Sequence, residues 1–95
     1  MTQQNTNQNS KHIVAVYKAL SDETRFEIVK TVASTGNCCT CDCSKNLDLT
    51  QPTLSHHLKI LVDAQVLLSH KQGTSKTYSV NCDYLTQLGI TIPLL

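Results

Sequence analysis

Apolar positions recur along this chain with two different periods, and the change of period divides it. From Lys11 onward, Ile13, Val14, Val16, Tyr17 and Leu20 follow helical spacing and predict a first helix of about three turns. Ser21-Asp22-Glu23-Thr24 reads as a stop and a new start. Ser21 or Asp22 supplies the N-cap oxygen, and acids occupy the first turn, where the helix dipole favours negative charge. Phe26, Ile28, Val29 and Val32 form the apolar stripe of a second helix that ends before Gly36. Residues 37–43 carry cysteines and lead into a short third helix that ends near Asp48. Thr50 caps the next helix, and Gln51-Pro52 fits its first turn, where a proline forfeits no intrahelical bond. Leu54, Leu58 and Leu61 stand at i, i+4 and i+7 and define one buried face, while Ser55, His56 and Lys59 fall on other faces. A short helix, a tight turn and a second helix make a helix-turn-helix.

After Asp63-Ala64 the period becomes two. Residues 66–71 and 76–80 predict strands, joined through Gln72-Gly73-Thr74-Ser75. Tyr78 and Val80 share one face, and Lys76, Thr77 and Ser79 suit the wet side or the hairpin edge. A last short helix is expected from about Asp83 to Leu88, followed by an apolar segment. Residues 1–10 are polar and without periodicity, which predicts a disordered tail ahead of one domain over residues 11–95. The fold class expected is mainly α with a small β-hairpin. Its order, helix-helix-helix-helix-strand-strand-helix, is that of a winged helix-turn-helix.

Composition narrows the function. A chain of 95 residues holds one core, and a core this small gains from burying an apolar face in a dimer. The formal net charge is only +1, so any grip on DNA must come from a local patch, made cumulative by a symmetric partner. No apolar run is long enough to cross a bilayer, and the polar start lacks the features of a secretory signal. A cytoplasmic location without a membrane partner is the expectation. Four of the five cysteines, Cys38, Cys39, Cys41 and Cys43, crowd into six positions, and Cys82 stands apart. A tight, odd-numbered cluster reads as reduced thiols rather than as a disulfide framework.

Three segments in order resemble the ArsR/SmtB family of metal-sensing repressors, over roughly residues 12 to 90. Ala19-Leu20-Ser21-Asp22-Glu23-Thr24-Arg25 resembles the family signature between its first two helices. The run Thr50-Gln51-Pro52-Thr53-Leu54-Ser55-His56-His57-Leu58-Lys59-Ile60-Leu61 resembles its recognition helix, and Gln72-Gly73 with Tyr78 its wing. The resemblance implies a homodimer on double-stranded operator DNA. Gln51, Thr53, Ser55 and His56 suit base edges in the major groove. His57 and Lys59 suit phosphate, and Lys71 and Lys76 at the hairpin suit backbone or minor groove.

Cys39-Thr40-Cys41-Asp42 further resembles the Cys-Val-Cys-Asp segment of arsenic- and cadmium-responsive members. Arsenic sensors carry their third cysteine where this chain has Ser44, and leucine where it has Cys43. Cadmium-type sensors also draw ligands from an N-terminal arm, yet no cysteine precedes Cys38. The metal ligands expected are therefore Cys39, Cys41 and Cys43, with the third position open among Cys43, Cys38 or none. Thiolates suit As(III) or Sb(III) first, and Cd, Pb, Zn or Cu(I) as alternatives. Within a helix, residues i and i+2 point about 200° apart. Gathering Cys39, Cys41 and Cys43 on one ion would thus distort the start of the third helix and move the recognition helix.

Cys38 and Cys43 fall where the family pattern commonly carries apolar core residues, and Cys82 reads as packing. Thiol oxidation is a rival signal. A histidine zinc site is not expected, because His56 and His57 point to different helix faces and no histidine follows His70. A thiol-rich metal buffer would need the cysteines without the recognition helix and wing. No nucleophile-base pair, phosphate loop or carboxylate pair suggests an enzyme.

Overall fold

The computed structural model describes residues 3–35, 38–39 and 47–91. Helices α1 (Gln3–Leu20) and α2 (Glu23–Thr35) are followed by a two-residue strand, β1 (Cys38–Cys39). Then come helix α3 (Gln51–Asp63), strands β2 (Leu67–Gln72) and β3 (Ser75–Val80), and helix α4 (Cys82–Gln87). The strands form one antiparallel sheet in the order β1-β3-β2.

Two elements depart from the sequence reading. Helix α1 begins at Gln3, where a disordered tail was expected. Once a helix is nucleated, adding a residue at its end costs little, so a polar run extends it without an apolar stripe of its own. The other departure is β1. Cys38 pairs with Tyr78 and Cys39 with Thr77, so Cys39 lies in a strand and not at the start of a helix. The physical reason is the open edge of β3, whose free backbone donors and acceptors recruit the adjoining chain. The expected helical placement therefore does not hold for Cys39. Residues 41–46, with Cys41, Cys43 and most of the expected third helix, lie outside the described residues.

The core forms as the periodicity predicts. Val16 and Ala19 of α1, Ile28, Val29 and Val32 of α2, and Leu54, Leu58 and Leu61 of α3 are buried together with Val66, Leu67, Tyr78, Leu85 and Ile90. Phe26 is only half-buried; the Lys30 ammonium stands 5.8 Å from its ring centre. Asp48, with φ 55°, turns the chain into α3, a conformation that Asp tolerates better than most residues. Leu47 and Leu49 on either side pack against the core.

The hairpin is tighter than expected. Gln72 pairs with Ser75, which leaves Gly73 and Thr74 as a two-residue loop. Gly73 has φ 62°, the region that a two-residue hairpin loop demands and glycine enters freely.

Helix α3 passes into β2 through a left-handed cap. The Val66 amide donates to the Leu61 carbonyl and the Gln65 amide to the Val62 carbonyl, both at 2.9 Å. This pair of bonds is the Schellman arrangement, with Leu61 and Val66 both buried beneath it. The residue in the left-handed position is Gln65, with φ 66°, where glycine is usual. Gln65→Gly is therefore expected to raise stability by about 0.5–1 kcal/mol, the left-handed penalty less the entropy that glycine loses. Urea unfolding of the two proteins measures it; an unchanged or lower midpoint would contradict the assignment. Helix α4 ends the same way with a glycine in place: Gly89 has φ 75°, and the Ile90 amide reaches the Leu85 carbonyl at 2.9 Å.

Candidate nucleic-acid interface and cysteine segment

Helix α3 is set up by its first residues. Thr50 is extended (φ −72°, ψ 157°), and its Oγ1 accepts from the Thr53 amide at 3.4 Å while donating to Thr53 Oγ1 at 2.9 Å. With Pro52 in the first turn, two of the usual orphan donors are thereby dealt with. The leucine face turns inward, and Gln51, Thr53, Ser55, His56 and Lys59 are all exposed. Lys59 Nζ lies 3.4 Å from Asp63 Oδ2, an open i,i+4 pair that contributes little to stability and leaves the ammonium available.

On the hairpin, Lys71 and Lys76 are both exposed and stand directly opposite each other in the register. Like charges so placed repel, a cost that an anion laid across them would remove. A cleft of about 360 Å³ separates α3 from the sheet, with Ser55, Lys59 and Asp63 on one wall and Ser69, Lys76 and Tyr78 on the other. The structure thus brings Ser55, Lys59 and Lys76 around one opening.

His57 is placed differently from its neighbours. It is half-buried, and its Nδ1 lies 3.3 Å from Arg25 Nη1. The Arg25 guanidinium also donates from Nε to the Ala19 carbonyl at 2.8 Å and from Nη2 to the Lys18 carbonyl at 3.4 Å. One side chain of α2 therefore joins the end of α1 to the middle of α3. The sequence places Arg25 in the family signature but assigns it no contact. The available signal was a basic side chain in the first turn of α2, within reach of the carbonyls that every helix leaves unpaired at its end.

Asp22, named in advance as a possible N-cap, accepts from the Arg25 amide at 3.0 Å. That bond, with the charge of Arg25 nearby, holds its carboxyl below the ordinary value of 3.8. A lowered folded-state pKa stabilises the fold above the ordinary value, and the contribution is lost as pH falls through the lowered one. Asp22→Asn keeps a capping oxygen but no titrating charge. Its stability is therefore expected to fall less than the wild type's between pH 6 and pH 2.5, as read by urea midpoints. Parallel pH profiles would show that Asp22 contributes nothing there.

Of the cysteines, Cys39 is placed by its backbone pairing with Thr77, while Cys41 and Cys43 lie outside the described residues. Cys82, read as packing, is instead an exposed free thiol at the first position of α4. Among the described residues, no group of three His, Cys, Asp or Glu side chains is arranged to hold a metal ion. No helix there is long and apolar enough to cross a membrane.

The family model described as bacterial regulatory protein, arsR family, matches residues 22–67, from the turn before α2 to the first residue of β2. The chain is 34% identical over 85 residues to an arsenical resistance operon repressor of Staphylococcus xylosus, covering 90% of this chain and 81% of that protein. This chain belongs to the arsR family of bacterial regulatory proteins. A cadmium resistance transcriptional regulatory protein CadC homolog of Staphylococcus aureus is 33% identical over 81 residues, covering 85% of this chain and 67% of that one. Among solved structures, a homodimeric winged helix-turn-helix DNA-binding domain from Mycobacterium bovis superposes with a TM-score of 0.79. It is 18% identical and covers 93% of this chain and 80% of its own, which establishes the shared fold. This arsR-family protein is accordingly a winged-helix transcriptional regulator and not an enzyme.

Proposed function

We propose that the protein is a homodimeric repressor that holds double-stranded operator DNA and lets it go when As(III) or Sb(III) is bound by the thiols of Cys39, Cys41 and Cys43. The observation that carries this reading is the position of β1. Cys39 is paired with Thr77 of β3, and Cys41 and Cys43 stand between it and α3 in the sequence. An ion drawing Cys39 toward Cys41 and Cys43 therefore pulls at once on the edge of the wing and on the lead-in to the recognition helix.

In this reading, Gln51, Thr53, Ser55 and His56 meet base edges, and Lys59, Lys71 and Lys76 meet phosphate. The amino end of α3 adds its own preference for an anion. Three thiolates within five positions are soft donors that suit a pyramidal As(III) centre. Dimerisation is supported by apolar surface on α1. Val14 and Tyr17 are 48% and 56% exposed, and Ile13 shares a groove with Tyr84 of α4 and Leu88 just after it. A second subunit would cover this surface and double the cationic contacts of a chain whose net charge is only +1.

Fluorescence anisotropy of the reduced protein on a duplex from upstream of its own gene tests the reading, with arsenite titrated into the complex. Saturable binding followed by release at near-stoichiometric arsenite is expected. The cadmium resistance relative supports a second reading, in which Cd, Pb, Zn or Cu(I) is the effector on the same thiols. Binding that ignores arsenite but yields to one of these ions would select it, and release by oxidant alone would indicate a redox sensor.

A further inference from the structure

The contact between Arg25 and His57 gives His57 a different part from its exposed neighbours. A guanidinium has donors only, so His57 Nδ1 must offer its lone pair for the 3.3 Å contact with Nη1 to be a hydrogen bond. The imidazole proton then sits on Nε2, for which no partner exists among the described residues. The other two arms of Arg25 are anchored on carbonyls at the end of α1, Ala19 and Lys18, and its backbone amide is anchored on Asp22. Arg25 is thus held from three sides before it meets α3. Its planar fork fixes direction as well as distance, which a lysine ammonium at the same place could not do.

We propose that Arg25 is a positioning residue for DNA recognition. It acts through His57, setting the tilt of α3 against α1 and holding the imidazole in the tautomer whose Nε2–H faces outward. DNA affinity then depends on Arg25 although its guanidinium is committed inside the fold, and His57 contributes as a neutral donor instead of a phosphate-neutralising cation. This inference rests on the DNA-binding reading above.

A double-mutant cycle on the full-length reduced protein tests it, with operator binding measured across a salt series. Arg25→Ala and His57→Ala are each expected to weaken binding about tenfold or more, and the double variant no further than the weaker-binding single one. His57→Asn, which keeps an acceptor near the position of Nδ1, is expected to restore much of the loss. The slope of log K against log salt is expected to stay at the wild-type value in both His57 variants, whereas Lys59→Ala lowers it by about 0.9.

Arg25→Ala also removes the bonds to the end of α1, so folding is checked by circular dichroism; the two His57 variants leave those bonds intact and decide the matter if it unfolds. Losses that multiply in the cycle, an Asn variant no better than Ala, or a shallower salt slope for the His57 variants would each overturn the positioning role. A wild-type protein that binds no duplex from its upstream region would instead overturn the DNA-binding reading, and this inference with it.

Discussion

Replacing Cys41 with serine is expected to leave operator binding intact and to abolish its release by arsenite. Sulfur and oxygen differ little in size, so serine keeps the shape of the segment while removing a soft thiolate donor. Without Cys41 the proposed trio of Cys39, Cys41 and Cys43 cannot close, and the ion loses the differential affinity through which an effector shifts a conformational equilibrium. In the wild type, a coupling of about 1–3 kcal/mol would lower DNA affinity roughly 5- to 150-fold on ion binding. In the variant that factor should shrink to one.

Cys39→Ser is expected to behave in the same way, since pairing with Thr77 runs through the backbone and survives the substitution. The measurement is the arsenite titration of preformed complexes, wild type beside each variant. Release of the Cys41→Ser complex at stoichiometric arsenite would sink the three-thiol switch, and failure of the variant to bind DNA at all would mean that the cysteine is structural. The same series with Cys43→Ser settles the third donor, for which Cys38 is the rival.

Leu58→Ala is expected to carry a large stability cost, about 2–5 kcal/mol. Leu58 is buried between Leu54 and Leu61 on the face that packs α3 onto the core. Truncation there forfeits the transfer free energy of the lost atoms and leaves a cavity that the surrounding helices and sheet close only in part. Domains of this kind have about 5–15 kcal/mol in all, so the variant should unfold at much lower urea and occupy DNA poorly for want of folded protein.

The contrast lies at Ser55 and Lys59, exposed beside the cleft on the same helix. Ser55→Ala and Lys59→Ala should change stability by no more than about 0.5 kcal/mol, while weakening DNA binding. Urea unfolding and anisotropy on the same samples separate the two effects. A Leu58→Ala protein within about 1 kcal/mol of wild type would mean that α3 is held by something other than its leucine face.

Much of the architecture is legible in the sequence. The leucine triad at i, i+4 and i+7, the Thr50 cap with Pro52 behind it, and the switch to period two after Ala64 are local signals. Each arises from geometry within one or two turns or across one hairpin, so a single sequence contains it. The exposed set on α3, Gln51, Thr53, Ser55, His56 and Lys59, follows from the same periodicity once the leucines are assigned to the core. The family resemblance drew on the same stretches, and the comparisons place the chain in that family.

Other features depended on partners distant along the chain. Nothing within residues 37–43 says that Cys38 and Cys39 will pair with Tyr78 and Thr77, because strand pairing is decided by the edge that β3 offers some forty positions on. For Cys39 a helical reading is locally reasonable, and that edge overrides it. Arg25 and His57 are 32 positions apart, and no periodicity in either helix announces that they meet. One residue along a helix is a rotation of about 100°, so the sequence already sets His57 on a different face from His56, but only the fold brings that face to Arg25.

Element type, caps and the polar face of α3 thus came from residues acting on their near neighbours, through backbone hydrogen bonds and the burial of apolar stripes. The direction of His57, the anchoring of Arg25 and the strand at Cys38–Cys39 came from tertiary packing. Their donors and acceptors lie on different elements and meet only when the core has brought those elements together.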